Sequence, residues 1–426
     1  MLTATGTVRH GFAADPALPA RDLLLDPGAA GEHLGRLLGR ALQGCELVRV
    51  KYRIGESLRV TYRTGPDGIW TVRAFRDGDS AGAYRKAGRA VPDPELDAIW
   101  WAFPADRRLR DLDRVLRPAP DLAALAPGWV ASELVEYSPE RAATFRAVDG
   151  TGRAVGYAKA YAPGTVDLIE RAGRYERIAR VLAAGGIGAP LPLGVSEARS
   201  VLVMEAMPGV QWGELAGPAL AGAVTRLGVA IATLHDSATL PDPATLRDPA
   251  TLHDSGAAAA AGLPRFGRLD ARRVAHSAHL VALARPDVAG PVLRLADRLA
   301  GGPPPDGPDV VLHGDCHPAN ALVDGGSIAL IDLDQAGTGP AAADIGSLLA
   351  RLHQDGDPGE LRDAFLTGYR TVRALPPERS LRWHTAAALV AERAVRAVNR
   401  VHLPTLDRLP DLLATADDVL RNGVGP

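Results

Sequence analysis

The first part of the chain is patterned in short stretches where apolar and polar residues alternate. Residues 47–62 (LVRVKYRIGESLRVTY) predict a hairpin of two strands, and residues 69–75 (IWTVRAF) predict a further strand. An arginine-rich helical pattern follows and ends at the prolines Pro118 and Pro120. We therefore expect residues 1–125 to form a separate α+β unit.

The alternation returns at residues 133–161, where it again predicts strand, loop, strand, turn and strand. In this second stretch Tyr137 corresponds to Tyr52, and Lys159 falls near the place of Arg73. One interpretation is a degenerate duplication of a single β-rich unit. The other, two unrelated hairpins that are both rich in arginine and tyrosine, is equally compatible with the sequence.

Helical periodicity dominates after these strands. Apolar residues recur at helical spacing between Leu168 and Leu182 and predict a helix over residues 166–183 with one buried stripe. Two short strands and the turn Met207–Pro208–Gly209 come next. Longer helical patterns cover residues 218–235, the 270s to 299, 359–373 and 381–402. We predict a β-rich unit over residues 126–209 and a helical unit over residues 210–426.

One segment of the helical unit has low complexity. Residues 232–255 are four near-copies of a hexapeptide (ATLHDS, ATLPDP, ATLRDP, ATLHDS). The first copy completes a helix, and the others form an insert at 238–255. Six polar, proline-punctuated residues cannot stack a hydrophobic core, so we expect a surface loop.

Composition narrows the function classes. A formal net charge of −2 over 426 residues gives no reason to expect a nucleic-acid or membrane partner. The two cysteines, Cys45 and Cys316, lie far apart and suggest a reducing compartment. No signal-peptide pattern is present, and no apolar run approaches the ~20 residues of a membrane span. We expect a cytoplasmic protein; nothing in the sequence indicates its oligomeric state.

The residues that carry chemistry concentrate between positions 310 and 349. Asp315 follows the apolar strand VVL, Asn320 lies five residues on, and Asp332 lies twelve beyond that. Between the last two, ALVDGGSIALID predicts a hairpin that folds Asp332 back beside Asn320. One carboxylate to orient a hydroxyl, with an amide and a carboxylate to hold Mg²⁺ against ATP phosphates, is the set that phosphoryl transfer needs.

A lysine on a strand completes this set. The chain has three lysines, Lys51, Lys86 and Lys159, and uses arginine elsewhere. Lys159 lies in VGYAKAY, where a buried ammonium needs anions such as ATP phosphates or a helix glutamate. Glu176 is the expected partner of Lys159, because on the predicted helix it flanks the buried stripe, whereas Glu170 points away from it.

Adenine is expected against the backbone of the segment after the next strand, at Glu205, Ala206 and Met207.

Two other function classes remain open. His313, Asp315 and His317 alternate in a way that fits a zinc-dependent hydrolase. A nucleotide-binding module without turnover is the third class, although the complete set of chemical residues argues against it. A further cluster, Arg393, Arg396 and Arg400, lies on one helix face and either faces solvent or borders the acceptor site.

With these residues assembled, the chain resembles the aminoglycoside phosphotransferase family, which shares its fold with choline kinases and, more distantly, protein kinases. The likeness covers about residues 130–400 and centres on HGDCHPAN and IDLDQAGTGPAAADIGSLL. Three further motifs support this likeness and occur in the expected order: AKAY, RYERIARVL and VMEAMPG. The 125-residue leader is extra, and the loop near Ser138–Arg141 lacks the glycines of a nucleotide-covering loop.

The resemblance implies an α+β, bilobal protein kinase-like fold with a small β-rich N-lobe and a helical C-lobe. It implies transfer of the ATP γ-phosphate, with Mg²⁺, to a hydroxyl of a sugar, amino sugar or antibiotic-like alcohol. Asp315 then takes the place of the catalytic aspartate, and Asn320 and Asp332 those of the metal ligands. Lys159 and Glu176 take the places of the lysine–glutamate pair. The arginines of the last helix mildly disfavour a polycationic acceptor.

Overall fold

A computed structural model describes residues 11–76, 78–80, 82, 89–236, 263–265, 269–304, 306–357 and 359–423. The low-complexity insert at 238–255 lies outside the described residues. The architecture is α+β, with two antiparallel sheets in the first half and a largely helical second half, so the predicted fold class is confirmed.

The N-terminal unit is a five-stranded antiparallel sheet preceded by two helices. Its elements are α1 Arg21–Leu24, α2 Pro27–Leu38, β1 Glu46–Arg53, β2 Ser57–Arg63, β3 Ile69–Phe75, β4 Val91–Asp93 and β5 Ala98–Ala102. Helix α2 begins where the Asp26 carboxylate accepts the N–H groups of Gly28 and Ala29, and it ends at Gly39, whose φ of 67° suits glycine. The strand order is β1-β2-β3-β5-β4.

A second five-stranded antiparallel sheet follows, with one long helix. Its elements are α3 Leu112–Leu116, α4 Pro120–Ala123, β6 Ala131–Ser138, β7 Ala142–Val148, β8 Ala154–Tyr161, α5 Leu168–Ala184, β9 Pro192–Ser196 and β10 Val201–Met204. Helix α5 matches the predicted helix at 166–183, and the Asp167 carboxylate caps it by accepting the N–H of Glu170. The strand order is β6-β7-β8-β10-β9.

The two sheets have the same strand order and the same register. Lys159 of β8 lies opposite Thr144 of β7 and Leu202 of β10. In the first sheet the corresponding residue of β3 is Arg73, which lies opposite Arg59 of β2 and Ile99 of β5.

The neighbouring row repeats this correspondence, because Tyr52 pairs with Leu58 as Tyr137 pairs with Ala143. The correspondence between the two stretches therefore extends from sequence to hydrogen-bonded neighbours.

The second half contains two short sheets among helices. Its elements are β11 Val210–Gln211, α6 Gly217–Asp236, α7 Ala271–Ala284, α8 Ala289–Leu299, β12 Val310–Leu312, β13 Ala321–Asp324, β14 Ser327–Leu330, β15 Gly337–Gly339, α9 Ala341–Asp355, α10 Glu360–Arg370, α11 Glu378–Ala388, a π-helical segment Leu389–Ala394, α12 Val395–Arg400, α13 Leu403–Asp407 and α14 Leu409–Asn422. The pattern predicted as one helix from the 270s to residue 299 is two helices, because Pro286 opens a 3₁₀ turn between them.

Helix α6 is long and apolar enough to pass a length-and-composition test for a membrane span, with a mean hydropathy of 1.4. The sequence prediction that no run reaches this length is therefore wrong for α6. Its buried residues, from Ala223 to His235, include side chains packed in one cluster with those of α10. This packing is typical of a core helix.

Hydrophobic contacts divide the chain differently from the predicted boundary at residue 125. Leu109, Leu112, Leu122 and Trp129 pack with strands of the second sheet in one cluster. The first sheet shares its cluster with residues of α7, α8, α11, α12 and α14. The N-terminal unit is thus a layer on the helical half, not a separate core.

Candidate active site

A fully buried carboxylate anchors the loop after β12. Asp344, on the first turn of α9, accepts the N–H groups of His313 at 2.7 Å and Gly314 at 2.9 Å. Burial acts to raise the pKa of Asp344, but its hydrogen bond with His235 and the other interactions outweigh burial and keep that pKa below its usual value. Asp344 thereby fixes the backbone that leads into Asp315.

Two side-chain amides define the position of Asp315. Gln335 Nε2 donates to the Asp315 carboxylate at 2.8 Å, and Asn320 Nδ2 donates to the Asp315 backbone oxygen at 3.0 Å. His313 also holds the loop in place, since its Nε2 lies 3.1 Å from the backbone oxygen of Ile331. These contacts tie the loop to the following hairpin.

The predicted hairpin is present and brings Asp332 back to Asn320. Ala321 of β13 pairs with Leu330 of β14, and the Ile331 N–H donates to the Asn320 backbone oxygen at 2.9 Å. Asp332 has a left-handed backbone, with φ of 57°. The side-chain nitrogen of Asn320 donates to the Asp315 backbone oxygen, so its side-chain oxygen remains an acceptor. An amide oxygen beside a partly exposed carboxylate is a donor set that fits Mg²⁺.

Lys159 reaches this hairpin from the second sheet. Its ammonium lies 3.0 Å from the Asp332 carboxylate and 2.7 Å from that of Asp334. Burial alone would lower the pKa of Lys159, but Asp334, Tyr161 and Asp332 outweigh it and raise the pKa well above the usual value. The lysine is therefore a fixed positive charge.

Asp334 was not among the site residues predicted from the sequence. It accepts from Lys159, from Arg171 of α5 at 2.8 Å, and from the hydroxyls of Tyr161 and Tyr175. Burial acts to raise the pKa of Asp334, and the charges of Lys159 and Arg171 hold it below the usual value instead. The alternation of Lys159 and Tyr161 on one strand face was the available signal for a shared partner.

The predicted Lys159–Glu176 pair is not formed. Glu176 makes an ion pair with Arg180, one turn along α5, and 48% of its side chain is exposed. The face of α5 that meets the hairpin carries Arg171 and Tyr175, which lie one turn apart. Helical periodicity alone predicted Glu176 as the partner of Lys159. Glu176 is the residue after Tyr175 and lies off the face that meets the hairpin.

Glu205, Ala206 and Met207 follow β10 in the connection between the halves, and all three are half-buried. The Glu205 N–H donates to the Leu191 oxygen at 2.9 Å, and the Glu205 carboxylate accepts the Leu191 N–H at 3.1 Å. These residues lie outside the lining of the cavity that holds the charged groups.

That cavity has a volume of about 550 Å³ and lies between the two sheets and the loop after β12. Lys159, Asp315 and Asp332 line it together. The first sheet contributes a second set of lining residues with cationic side chains: Arg49, Lys51, Arg53, Arg59 and Arg73. The N-terminal unit thus forms a wall of the candidate active site.

The same unit holds the β6–β7 hairpin through one buried glutamate. Glu140, at the hairpin tip, forms ion pairs with Arg73 at 2.9 Å, Arg107 at 2.5 Å and Arg59 at 3.4 Å. Its N–H donates to Asp106 at 2.8 Å. This hairpin is the loop that lacks the glycines of a nucleotide-covering loop. Contacts between Glu140 and three arginines fix its position.

Zinc ligation by His313, Asp315 and His317 does not match this geometry. Over the part of the chain that the structure describes, no group of three His, Cys, Asp or Glu side chains is placed to hold a metal ion. The hydrolase interpretation has no structural support.

Comparison with known proteins completes the picture. The model of the phosphotransferase enzyme family matches residues 136–384, more than half of the chain. The chain belongs to this family. No curated protein matches this phosphotransferase in sequence. The matched residues begin in β6 and include Lys159, Asp315 and Asp332, so the first sheet lies outside the match.

Several kinases and phosphotransferases are among the solved structures similar to this phosphotransferase. Spectinomycin phosphotransferase in complex with ADP and spectinomycin has 15% identity and a TM-score of 0.49, over 70% of this chain and 96% of that one. An amicoumacin kinase in complex with AMP-PNP and Ca²⁺ has 16% identity and a TM-score of 0.47, over 74% and 95%. A macrolide 2'-phosphotransferase from Brachybacterium faecium has 20% identity and a TM-score of 0.42, over 73% and 98%.

Proposed function

We propose that this phosphotransferase moves the γ-phosphate of ATP, with Mg²⁺, to a hydroxyl of a small molecule. The observation that supports this most is the meeting of Lys159, Asp315 and Asp332 in one cavity, with Asn320 beside Asp332. Phosphoryl transfer depends mainly on positioning and on electrostatic stabilisation, and these four residues supply both.

Asp315 is the proposed catalytic residue. Its carboxylate accepts the acceptor's hydroxyl proton as the acceptor oxygen bonds to the γ-phosphorus and the bond to the ADP oxygen breaks. The amide of Gln335 holds this carboxylate in the cavity, which orients it before the acceptor arrives. General-base assistance of this kind typically contributes ~10²–10⁴-fold.

Lys159, Asn320 and Asp332 are the proposed phosphate-side residues. When bound, Mg²⁺ neutralises phosphate charge, and the oxygens of Asn320 and Asp332 are its proposed protein ligands. Lys159 faces the same phosphates, and Asp334 positions it. The proposed contact for adenine stays with the backbone of residues 205–207.

The test is ADP release with ATP and Mg²⁺ across a panel of sugars, amino sugars and antibiotic alcohols. We expect Asp315→Asn to lower kcat by ~10²-fold or more. Asp324→Asn, in the exposed turn of the β13–β14 hairpin, is the matched control and should behave as wild type. Equal turnover by wild type and Asp315→Asn would contradict the role of Asp315. Nucleotide binding without turnover of any acceptor would favour the non-catalytic interpretation.

A further inference from the structure

The helical run from α11 to α12 carries several arginines, one of which lines the cavity with Asp315. Helix α11 passes through the π-helical segment Leu389–Ala394 into α12, and Arg393, Arg396 and Arg400 follow at spacings of three and four. π-Helical turns are rare and are found frequently at functional sites. Arg351 of α9 lies close enough to act on the charge of Arg393. We call these four residues the arginine cluster.

Most of the positive charge of this cluster is not neutralised by the protein. Arg393 is 4% exposed and donates to Glu392 at 3.1 Å. Among the residues that the structure describes, Arg351, Arg396 and Arg400 form no ion pair with a carboxylate. The Nε atoms of Arg351 and Arg393 are buried without a hydrogen-bond partner. Arg351 and Arg396 are half-buried and Arg400 is exposed, so the charges that lack a carboxylate partner are open to an anion from outside the chain.

Burial and the charges of the arginine cluster lower the pKa values of Arg393 and of the neighbouring His317. Burial lowers the pKa of Arg393 to about 10, and Arg396 and Arg351 act in the same direction. Burial and then the charge of Arg351 lower the pKa of His317 to about 4. His317 is therefore neutral at physiological pH, and its buried Nδ1 has no hydrogen-bond partner in the described residues. The charges of Glu392 and Asp315 act in the opposite direction, on Arg393 and Arg400 respectively.

Asp315 shares its cavity with Arg400 of the arginine cluster and with Lys159, the phosphate-side cation. Burial and the charges of Arg396 and Arg49 lower the pKa of Arg400, and the Asp315 carboxylate acts against them. Lys159, in the same cavity, is already paired with Asp332 and Asp334. Because the proposed function assigns the ATP phosphates to Lys159, we assign Arg400, the member of the cluster that lines the cavity, to the acceptor.

We propose that the acceptor is an anion: a small alcohol that carries a carboxylate or phosphate group bound by the arginine cluster, with its hydroxyl toward Asp315. Guanidinium groups bind both oxyanions through paired N–H···O bonds, which also fixes the orientation of the bound molecule. This inference rests on the proposed function, because it names the charge of the acceptor that Asp315 would activate.

The first experiment compares four sugars that differ in charge: glucose, glucosamine, glucuronate and glucose 6-phosphate. We expect kcat/KM to be highest for one of the two anionic sugars. Arg396→Gln and Arg400→Gln should each lower the ratio of anionic to neutral kcat/KM by roughly ten- to hundred-fold, the usual loss for a charged hydrogen bond. Arg379→Gln, at the exposed start of α11, is the matched control and should leave the ratio unchanged. Preference for glucose or glucosamine, or an unchanged ratio in both variants, would overturn the proposal.

A binding experiment separates this inference from the proposed function. Inorganic phosphate, titrated at constant ionic strength without nucleotide, should raise the melting temperature of the wild type, and Arg400→Gln should weaken the effect. If phosphate binds through these arginines but no acceptor yields ADP, the proposed function fails and the anion site stands. If phosphate has no effect on the wild type, or the same effect on Arg400→Gln, the anion site fails whatever the ATP assays show.

Discussion

At the scale of single residues, Asp334 connects three elements through its carboxylate. It joins β8 through Lys159 and Tyr161, and α5 through Arg171 and Tyr175. Its side chain is only 15% exposed, so the two cations would be left partly buried without it. Removing one partner of a buried ion pair costs more than the pair itself contributes.

Asp334→Asn should therefore lower the free energy of unfolding by about 3 kcal/mol, the usual scale for a broken buried pair. It should also lower kcat, because Lys159 loses the contact that positions it. Glu176→Gln breaks only a half-exposed pair with Arg180 and should change stability by less than about 1 kcal/mol. Denaturant unfolding and ADP release measure both effects. A larger loss of stability and of kcat in Glu176→Gln than in Asp334→Asn would show that Glu176, as predicted from the sequence, is the partner of Lys159.

Lys51 gives a residue-scale prediction about pH. Its amine lies in the cavity wall with Arg59, Arg53, Arg141 and Arg73, and burial followed by these charges lowers its pKa to about 8 from an ordinary 10.5. Between these two values the unfolded chain binds more protons than the folded chain, so the Lys51 contribution makes stability rise with pH. The difference in unfolding free energy between wild type and Lys51→Gln should shift in favour of the wild type from about pH 8 to about pH 10. A pH-independent difference would contradict the lowered pKa.

At the scale of elements, local signals explain which parts were predictable. The β13–β14 hairpin follows from Asp324–Gly325–Gly326 between two apolar runs, and it brings Asn320 and Asp332 together as expected. Local signals did not predict the partner of Lys159, because the choice between Glu176 and Asp334 depends on how α5 is rotated against the hairpin. A helical pattern predicts which face is buried, but not which residue of another element it meets.

The match between the two sheets belongs to the same scale. We propose that they descend from one unit by duplication, since strand order and register are repeated and Arg73 takes the place of Lys159. The two cations have different partners: Lys159 contacts Asp332 and Asp334, and Arg73 contacts Glu140 of the β6–β7 hairpin. The first sheet thus uses its equivalent position to hold the second.

Glu140→Gln tests this contact. The change removes the shared counter-charge of Arg59, Arg73 and Arg107, so we expect a loss of about 3 kcal/mol in unfolding free energy. A loosened hairpin should also raise the KM for ATP. Glu133→Gln, on the same hairpin but 60% exposed, is the control and should cost less than about 1 kcal/mol. Equal stability of the two variants would show that the hairpin is held by other contacts.

At the scale of the whole molecule, the N-terminal unit cannot be separated from the rest. Sequence patterns predicted a separate unit over residues 1–125, because alternation reports which face of a strand is buried and not what covers it. The cover is the helical half: side chains of the first sheet, such as Val60 and Trp100, share a cluster with Val281 and Leu389. The contact between β1 and α12, for example, joins residues more than 300 positions apart, so no local sequence pattern predicts it.

This shared core predicts that the chain unfolds in one step. Three of the six tryptophans, Trp70, Trp100 and Trp101, lie in the first sheet, and Trp129, Trp212 and Trp383 lie outside it. In a variant with these last three replaced by phenylalanine, fluorescence reports on the first sheet, whereas circular dichroism at helical wavelengths reports mainly on the second half. We expect the two signals to change at the same denaturant concentration, as they do when unfolding is cooperative. Val60→Ala should shift both midpoints together, because it opens a cavity in the common core and typically costs about 2–3 kcal/mol. An earlier loss of the tryptophan signal, with the helical signal unchanged, would mean that the first sheet detaches by itself and that the cavity wall it forms is dispensable for folding.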